Sequence, residues 1–347
     1  MTATKPLFTP DVARAQAFAE ACPRYAPTSM RTVEHEGTAI LLKNESERFG
    51  LGAFKALGGV YAVGQLIAEA FASVHKRTPE IDEFMSDEFK TLAASQSFVC
   101  ASAGNHGMAV AAGARLFGSK ARIYLSEEVP DDFAGRLRAL GAEVVIAGAN
   151  YEASLVAAQN DARDTTSTLL ADGCFPEREH PPALVMEGYT VMGTELGNYF
   201  KKQGVWPSDV YLQAGVGGMA AAITYMIRQS WPIDIRVVIV EPEAAVCLGQ
   251  SALAGKAIEV SGPVSSMGRL DCKAPSVIAF DTLERCSVEY AVISDAQAQA
   301  AVELLTQHNL ATTPSGAAGL AAWLKEKALS KNHGNAPLII MTEQGIV

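Results

Sequence analysis

Short apolar runs alternate with longer segments of helical periodicity over most of this chain. The runs at 97–101, 121–125, 143–147 and 169–171 predict strands, and each of the first three is followed by ten or more residues with a helical pattern. A parallel neighbour can be reached only by a crossover connection, so strands that alternate with helices of this length form βαβ units. The chain is therefore constrained to an α/β fold.

The same alternation continues towards the C-terminus, and the whole chain predicts two mainly parallel sheets flanked by helices. Residues 74–93 are rich in charge and predict an exposed connection. Ligands of open α/β sheets bind beyond the carboxyl ends of the strands, so the connections that follow strands deserve most weight. Further strands are predicted at 38–43, 209–213, 235–240 and 337–341, and further helices at 10–21, 188–202, 218–230, 295–308 and 314–326.

One lysine stands within a run of small and aromatic residues. Residues 47–59 read Glu-Arg-Phe-Gly-Leu-Gly-Ala-Phe-Lys-Ala-Leu-Gly-Gly, and Lys55 falls where a predicted strand and loop give way to a helix. Apolar neighbours would desolvate its amine, lower its pKa and make it a better nucleophile toward an aldehyde. The alternative is an ordinary helix lysine that keeps its charged end in solvent.

Two further connections between a strand and a helix are built from small residues. Residues 102–107 read Ser-Ala-Gly-Asn-His-Gly, and the free N–H groups at the helix start could bind a carboxylate. Residues 213–219 read Gln-Ala-Gly-Val-Gly-Gly-Met, and this glycine-rich loop could cradle a phosphate. The alternatives are a tight turn capped by Asn105 and a packing turn. A single phosphate fits the second loop better than a dinucleotide, since Glu241 lies slightly too far along the chain to bind a ribose.

These motifs, followed by a Pro314-Ser315 helix start, occur in the order found in fold type II pyridoxal-phosphate enzymes. The chain resembles that family, which includes the tryptophan synthase β-subunit, from about residue 30 onward. Among its branches the chain is similar to the diaminopropionate ammonia-lyases. The similarity to them lies in the segment 48–59, in Gly188-Tyr189, in the loop 214–217 and in Thr342-Glu343 after the last apolar run.

The resemblance implies a role for each matching position. Lys55 would hold pyridoxal phosphate covalently and then act as acid and base. Asn105 would hydrogen-bond the cofactor's ring hydroxyl oxygen, and Ser315 would face its pyridine nitrogen. The implied cofactor set is Phe54, Lys55, Asn105, Gly215, Val216, Gly217, Gly218, Met219 and Ser315. The implied set for the substrate carboxylate is Ser102, Ala103, Gly104, Asn105 and His106.

A serine at the pyridine nitrogen favours α,β-elimination over transamination. A hydroxyl does not keep that nitrogen protonated as a carboxylate would, so a carbanion is poorly stabilised and loss of a β-substituent becomes the favoured outcome.

Asp172 follows a predicted strand, and the resemblance implies that it contacts the distal amine of the substrate. A structural aspartate in a turn before Gly173 is an equally plausible interpretation.

Two positions depart from the ammonia-lyase pattern, which usually reads Thr-Asp-Gly-Asn-His and Met-Gln-Gly-Tyr. This chain has Ala103 in place of the aspartate and Glu187 in place of the glutamine. Lys55 reaches the substrate's α-carbon from one side only, and a methyl group at position 103 cannot serve as a second base. We therefore expect L-substrates only and no racemisation.

Three functions remain open. The resemblance implies an ammonia-lyase that acts on a β-substituted amino acid, first of all 2,3-diaminopropionate, and yields a 2-oxo acid and ammonia. The alternatives are a serine, threonine or hydroxyaspartate dehydratase with the same machinery, and a non-catalytic binding protein on the same fold. A distal ammonium would benefit from a carboxylate such as Asp172 or Glu187, whereas a hydroxyl leaving group would not.

Composition excludes other classes of partner and suggests a compartment. The 347 residues carry a net charge of −10 without a basic cluster, which argues against nucleic acid and anionic membranes. The apolar runs look too short to cross a bilayer. The six cysteines show no metal-binding spacing, so we expect no metal site and reduced thiols in the cytoplasm.

The resemblance implies a homodimer, with residues 1–54 and 161–347 forming a large cofactor domain and 55–160 a small domain.

Overall fold

The computed structural model describes residues 5–173, 179–329 and 336–345. Within these ranges the strands form two separate sheets, one of six strands and one of four. Cys174 lies outside the described residues. The ten strands are β1 (Met30–His35), β2 (Thr38–Asn44), β3 (Ser97–Ala101), β4 (Lys120–Leu125), β5 (Glu143–Ile146), β6 (Thr168–Leu169), β7 (Asp209–Gln213), β8 (Arg236–Pro242), β9 (Glu289–Ile293) and β10 (Leu338–Met341).

The larger sheet has the order β1-β2-β10-β7-β8-β9, and only the β1–β2 pair is antiparallel. The last strand of the chain is therefore inserted between strands from the beginning and the middle. Leu338 pairs with Leu41 on one side and with Val210 on the other. This insertion brings the chain after β10 to the same edge as the connections that follow β2 and β7.

The smaller sheet has the order β5-β4-β3-β6, and all of its pairs are parallel. The predicted α/β fold with two mainly parallel sheets is confirmed. Strand β6 lies beyond residue 160, where the sequence places the end of the small domain, and the division into domains at residues 54 and 160 stays a prediction.

Twelve helices flank the sheets in the described part of the chain. Short 3₁₀ turns occupy Arg48–Gly50 and Ile81–Met85. The helices are α1 (Val12–Glu20), α2 (Lys55–His75), α3 (Asp87–Ala93), α4 (Asn105–Phe117), α5 (Asp131–Ala139), α6 (Tyr151–Asp164), α7 (His180–Gln203), α8 (Gly218–Ser230), α9 (Cys247–Ala254), α10 (Val277–Glu284), α11 (Asp295–Gln307) and α12 (Pro314–Leu329).

Helix α2 crosses α7 so closely that only glycine fits at the contact. A Cβ on Gly188 would lie 2.5 Å from the carbonyl oxygen of Leu57, and one on Gly58 would lie 2.5 Å from the Tyr189 ring. By length and composition α2 could also cross a membrane, so the expectation that every apolar run is too short is wrong for this helix. Since 61% of its most apolar stretch is buried inside the protein, it also fits the description of a core helix.

The segment 74–93 is mostly exposed, as its charges predict, but it is also fixed to the core. It contains a 3₁₀ turn and α3, and it is anchored by Phe84 and Phe89, whose rings stack with centroids 4.7 Å apart. Both rings are buried against Phe117 at the end of α4. The charged residues lie on the outer side of a segment that two aromatic side chains fix to the core.

Candidate active site

Lys55 and Asp172 lie in direct contact, although one begins a helix and the other follows a strand of the smaller sheet. Lys55 is the first residue of α2, and its Nζ donates a hydrogen bond to Asp172 Oδ2 over 2.7 Å. Asp172 follows β6 of the smaller sheet. The two side chains keep 19% and 30% of their surface accessible. The contact therefore joins two parts of the chain that the sequence alone could not pair.

The charges of this pair shift both pKa values away from neutrality. Burial is the largest influence on the Lys55 amine and lowers its pKa, but the charge and hydrogen bond of Asp172, with smaller contributions from Tyr189 and Cys272, together make the net shift upward. Burial likewise raises the pKa of Asp172, yet the charge and hydrogen bond of Lys55 together with His106 hold that pKa well below its usual range. The sequence-based expectation of a lowered lysine pKa is wrong for the free chain, because it took account of apolar neighbours and not of Asp172.

Two aromatic rings flank the Lys55 amine. Its Nζ lies 5.4 Å from the centroid of the Phe54 ring and 5.9 Å from that of Tyr189. Burial, opposed by Lys55, raises the pKa of Tyr189 to about 12, so its hydroxyl is a neutral donor at physiological pH. Within the described residues the buried Tyr189 hydroxyl has no hydrogen-bond partner. Tyr189 is thus a candidate for ligand contact, although no role was predicted for it.

The glycine-rich loop after β7 leads into α8 next to the Lys55–Asp172 pair. Gly217 has a φ of +97°, which a side chain would strain, and a Cβ there would lie 3.0 Å from Leu248 Cδ1. A Cβ on Gly215 would lie 2.9 Å from Cys272 Sγ, and one on Gly218 would lie 4.0 Å from the Asp172 carbonyl oxygen. The loop therefore needs glycine and borders the same cleft as Lys55.

The residues around this cleft suit pyridoxal phosphate. The start of α8 offers N–H groups that have no partner within the helix, which is the setting in which phosphate binds. Val216 and Met219 belong to this connection, and Met219 is buried. Lys55 offers an amine to an aldehyde, and Asn105 offers an amide to a ring hydroxyl. The donor set and the glycine cradle therefore fit the cofactor.

Asn105, the first residue of α4, hydrogen-bonds a carboxylate that sequence reasoning did not assign to the site. Its Nδ2 donates to Oε2 of Glu343, which follows β10 and is only 3% exposed. Thr313 donates its hydroxyl to the other carboxylate oxygen, and Arg269 Nε lies 3.0 Å from Oε2. Thr342-Glu343 was part of the family resemblance, but no spacing in the sequence links residue 343 to residue 105.

The connection 102–106 lies between β3 and α4 as predicted. The hydroxyl of Ser102 accepts a hydrogen bond from the Gly104 N–H over 3.3 Å, and residues 102–105 are half-buried. His106 points into the core, where one ring nitrogen lies 3.0 Å from the Leu170 carbonyl oxygen, and burial lowers its pKa. The structure therefore holds His106 as a neutral core histidine, so a contact with substrate would have to come from its backbone.

Ser315 lies near the start of α12 and is 2% exposed. Its hydroxyl accepts a hydrogen bond from the backbone N–H of Arg269 over 3.2 Å. The expected role towards the pyridine nitrogen stays a prediction, as do the other assigned site roles. Cys272 borders the Gly215 backbone, and burial raises the pKa of its thiol to about 12. At neutral pH this thiol is therefore protonated.

Glu187 and Glu241 take no part in the cleft. Glu187 accepts hydrogen bonds from the Tyr61 hydroxyl, from the backbone N–H of Asp11 and from Arg14, which ties α1 to α7. Glu241 accepts from the first N–H groups of α9. Of the two carboxylates considered for a substrate ammonium, Asp172 is therefore the one beside Lys55. No cluster of three or more metal-binding side chains occurs in ranges 5–173, 179–329 and 336–345.

Residues 23–342 match the family model described as "Pyridoxal-phosphate dependent enzyme". The chain belongs to this family. Diaminopropionate ammonia-lyase of Escherichia coli (strain K12) is 29% identical over 353 residues, which cover 99% of this chain and 81% of that relative. The diaminopropionate ammonia-lyase of Salmonella typhimurium is 33% identical over 283 residues, which cover 76% and 68% of the two chains.

Solved structures support the same assignment to this family. A crystal structure of the Escherichia coli diaminopropionate ammonia-lyase, in complex with an aminoacrylate-PLP azomethine reaction intermediate, superposes with a TM-score of 0.83. The superposition covers 99% of this chain and 91% of that one at 27% identity. The predicted resemblance to fold type II enzymes and the predicted cofactor, pyridoxal phosphate, are confirmed.

Proposed function

We propose that this protein is a pyridoxal-phosphate-dependent ammonia-lyase that eliminates the β-substituent of an L-amino acid. The first candidate substrate is 2,3-diaminopropionate, and the products are a 2-oxo acid and ammonia. The relatives named above carry this activity in their names. The observation that carries the proposal to this chain is the contact between Lys55 Nζ and Asp172 Oδ2 at 2.7 Å, beside a glycine-rich loop.

The positions of the chain's own groups support the following roles. Bound pyridoxal phosphate supplies an electron sink for the α-carbon of the substrate. Phe54 flanks the amine of Lys55, and the residues from Gly215 to Met219 would hold the phosphate with backbone N–H groups. Asn105 would orient the cofactor ring by donating a hydrogen bond to the ring hydroxyl oxygen. The backbone of 102–106 binds the substrate carboxylate, and Lys55 removes the α-proton.

Asp172 gives the substrate preference. In the free chain its carboxylate is paired with the Lys55 ammonium. Once the Lys55 amine holds the cofactor, the carboxylate is free to pair with a distal ammonium of the substrate. A charge-assisted hydrogen bond of this kind is worth about 1.5–3 kcal/mol. Diaminopropionate carries such a group and serine does not.

A turnover screen tests this proposal against its alternatives. Purified protein with pyridoxal phosphate is given L-diaminopropionate, L-serine, L-threonine and L-hydroxyaspartate, and both the 2-oxo acid and ammonia are measured. We expect the largest kcat/KM with diaminopropionate, with twice as much ammonia per 2-oxo acid as serine releases. A larger kcat/KM with a hydroxy amino acid would favour the dehydratase alternative. A colourless protein that binds no pyridoxal phosphate would favour the non-catalytic alternative.

The expected handedness rests on Ala103, which stands half-buried in the carboxylate-binding connection. Its methyl group cannot exchange a proton, so Ala103 cannot act as the second base that a D-substrate needs. We expect turnover of L-isomers without racemisation in chiral assays, and some D-diaminopropionate activity after Ala103→Asp. Wild-type turnover of the D-isomer near the rate of the L-isomer would show that another residue acts as a second base.

We further propose a homodimer in the cytoplasm, with a large cofactor domain (1–54 and 161–347) and a small domain (55–160). The acidic composition and the absence of a cysteine pattern for disulfides or metals support the compartment. Light scattering on the eluting protein should give twice the chain mass of 36.6 kDa. A mass of one chain would contradict the dimer.

A further inference from the structure

Glu343 joins the two halves of the cofactor cleft. Its backbone forms a bridge with Ala53, and the neighbouring Thr342 carbonyl accepts the Phe54 N–H over 3.1 Å, so the segment before Lys55 is fastened to it. Its side chain reaches the opposite side and accepts a hydrogen bond from Asn105 Nδ2. Glu343 thus contacts both the segment that leads into Lys55 and the side-chain amide of Asn105.

A carboxylate can only accept hydrogen bonds, whereas an amide has one end that donates and one that accepts. The Asn105 amide must therefore turn its nitrogen towards Glu343, and its oxygen away from it. The second hydrogen on that nitrogen is left for another acceptor, which the proposed cofactor site identifies as the ring hydroxyl oxygen. We infer that Glu343 is a positioning residue that fixes the orientation of the Asn105 amide, and that Arg269 keeps Glu343 in the charged form this requires.

Glu343 depends on Arg269 to stay ionised. Burial raises the pKa of its carboxyl, and Arg269, Thr313 and Asn105 hold that rise back, in that order, with a smaller contribution from Lys55. Arg269 is the cation in contact with the carboxylate, at 3.0 Å. Without it the pKa would rise further towards neutrality. A protonated Glu343 could donate to the Asn105 oxygen instead, and the amide would turn round.

The inference rests on the proposed cofactor site, and its test measures cofactor affinity rather than turnover. The dissociation constant of pyridoxal phosphate is measured by absorbance titration between about pH 6 and about pH 9, and each variant is expressed as a ratio to wild type. We expect Glu343→Gln to weaken binding about ten- to a hundredfold at every pH, because the charge-assisted hydrogen bond from Asn105 becomes a neutral one and a glutamine amide can face Asn105 with either end.

Arg269→Gln should behave differently from Glu343→Gln. Its dissociation constant relative to wild type should approach one at the alkaline end and rise as the pH is lowered, because Glu343 then takes up a proton. Arg269→Lys keeps the charge and should keep a flat ratio near one. Arg269→Gln combined with Glu343→Gln should lose the pH dependence.

Glu289→Gln is the matched control, since Glu289 is an exposed carboxylate that pairs with Arg236 away from the cleft. It should leave cofactor affinity unchanged. Thermal unfolding of the cofactor-free variants shows whether they fold. If Glu343→Gln fails to fold, the pH profile of Arg269→Gln tests the inference instead. Binding by Glu343→Gln within about twofold of wild type, or a dissociation constant for Arg269→Gln that is raised by the same factor at every pH, would overturn the inference. A wild type that binds no pyridoxal phosphate would instead defeat the proposed function.

Discussion

Two clusters of charged side chains differ in how far they are exposed to solvent. The first, which we call the scaffold cluster, consists of Lys43, Glu45, Arg48 and Glu195. Its side chains are at most 2% exposed, and its charges balance. Glu195 binds Lys43 Nζ at 2.6 Å and Arg48 Nη1 at 2.7 Å, while Arg48 Nε binds Glu45 at 2.8 Å.

The second, the site cluster, consists of Lys55, Asp172, Asn105, Arg269 and Glu343. It has the same balance of charge, but Lys55, Asp172 and Arg269 keep 19–30% of their side-chain surface accessible. The buried Tyr189 hydroxyl beside it has no hydrogen-bond partner in the described ranges. The site cluster is therefore open to a ligand at several polar atoms.

The comparison teaches that buried charge alone does not mark an active site. In the scaffold cluster both carboxylates pair with cations of the same cluster, and all four side chains are buried. Arg48 stands in the 3₁₀ turn just before the lysine segment, so this closed cluster fixes where the chain enters the site. In the site cluster part of each charged pair stays accessible, and this incomplete burial leaves charged atoms within reach of a ligand.

Lys55→Ala should have the largest effect, and only on function. Turnover should fall by at least about 10⁴-fold, because the variant lacks both the amine proposed to hold the cofactor and the base proposed to move the α-proton. The fold should persist, since Lys55 lies at the start of α2 and makes one ion pair. The measurement is kcat/KM together with thermal unfolding. Retained turnover would mean that another lysine does this chemistry.

Glu195→Ala should have the opposite profile and break the scaffold cluster. It leaves Lys43 and Arg48 buried with Glu45 as the only carboxylate, and removal of one partner from a buried pair costs about 3–5 kcal/mol. Denaturant unfolding measures this loss. Glu289→Ala, which removes an exposed carboxylate, is the control and should change stability little. Equal effects of the two would show that the scaffold cluster contributes nothing special.

Gly217→Asp tests the glycine-rich loop that completes the site. A side chain at a φ of +97° is strained, and a carboxylate at the helix start would repel a bound phosphate. We expect pyridoxal-phosphate affinity to fall at least about a hundredfold, or about 3 kcal/mol, with far-UV circular dichroism little changed. Full cofactor occupancy in the purified variant would place the phosphate elsewhere.

Asp172→Asn should have the smallest and most selective effect. Losing the charge should lower kcat/KM for diaminopropionate about ten- to a hundredfold, and for serine much less, because serine offers no ammonium to the carboxylate. The ratio of the two kcat/KM values is the measurement. An equal loss on both substrates would assign Asp172 to the support of Lys55 alone.

Much of this molecule could be read from local sequence patterns, and the exceptions have physical causes. Helices α4 and α8 begin and end where predicted, since each has a glycine-rich start and a clear apolar face. The attachment of segment 74–93 to the core was not predicted, because its two buried phenylalanines stand among many charged residues. The Lys55 pKa was misjudged, and Glu343 was given no role, because their partners are 117 and 238 residues away in sequence.

The most direct test of the account is to trap the cofactor on the protein. Purified wild type should show an absorption band in the visible range, and borohydride reduction followed by peptide mapping should place the cofactor on Lys55. Asp172→Asn should carry its label on the same lysine. A label on Lys43, Lys273 or any other lysine, or the absence of a label from a protein that turns over its substrate, would contradict the assignment of this cleft as the active site.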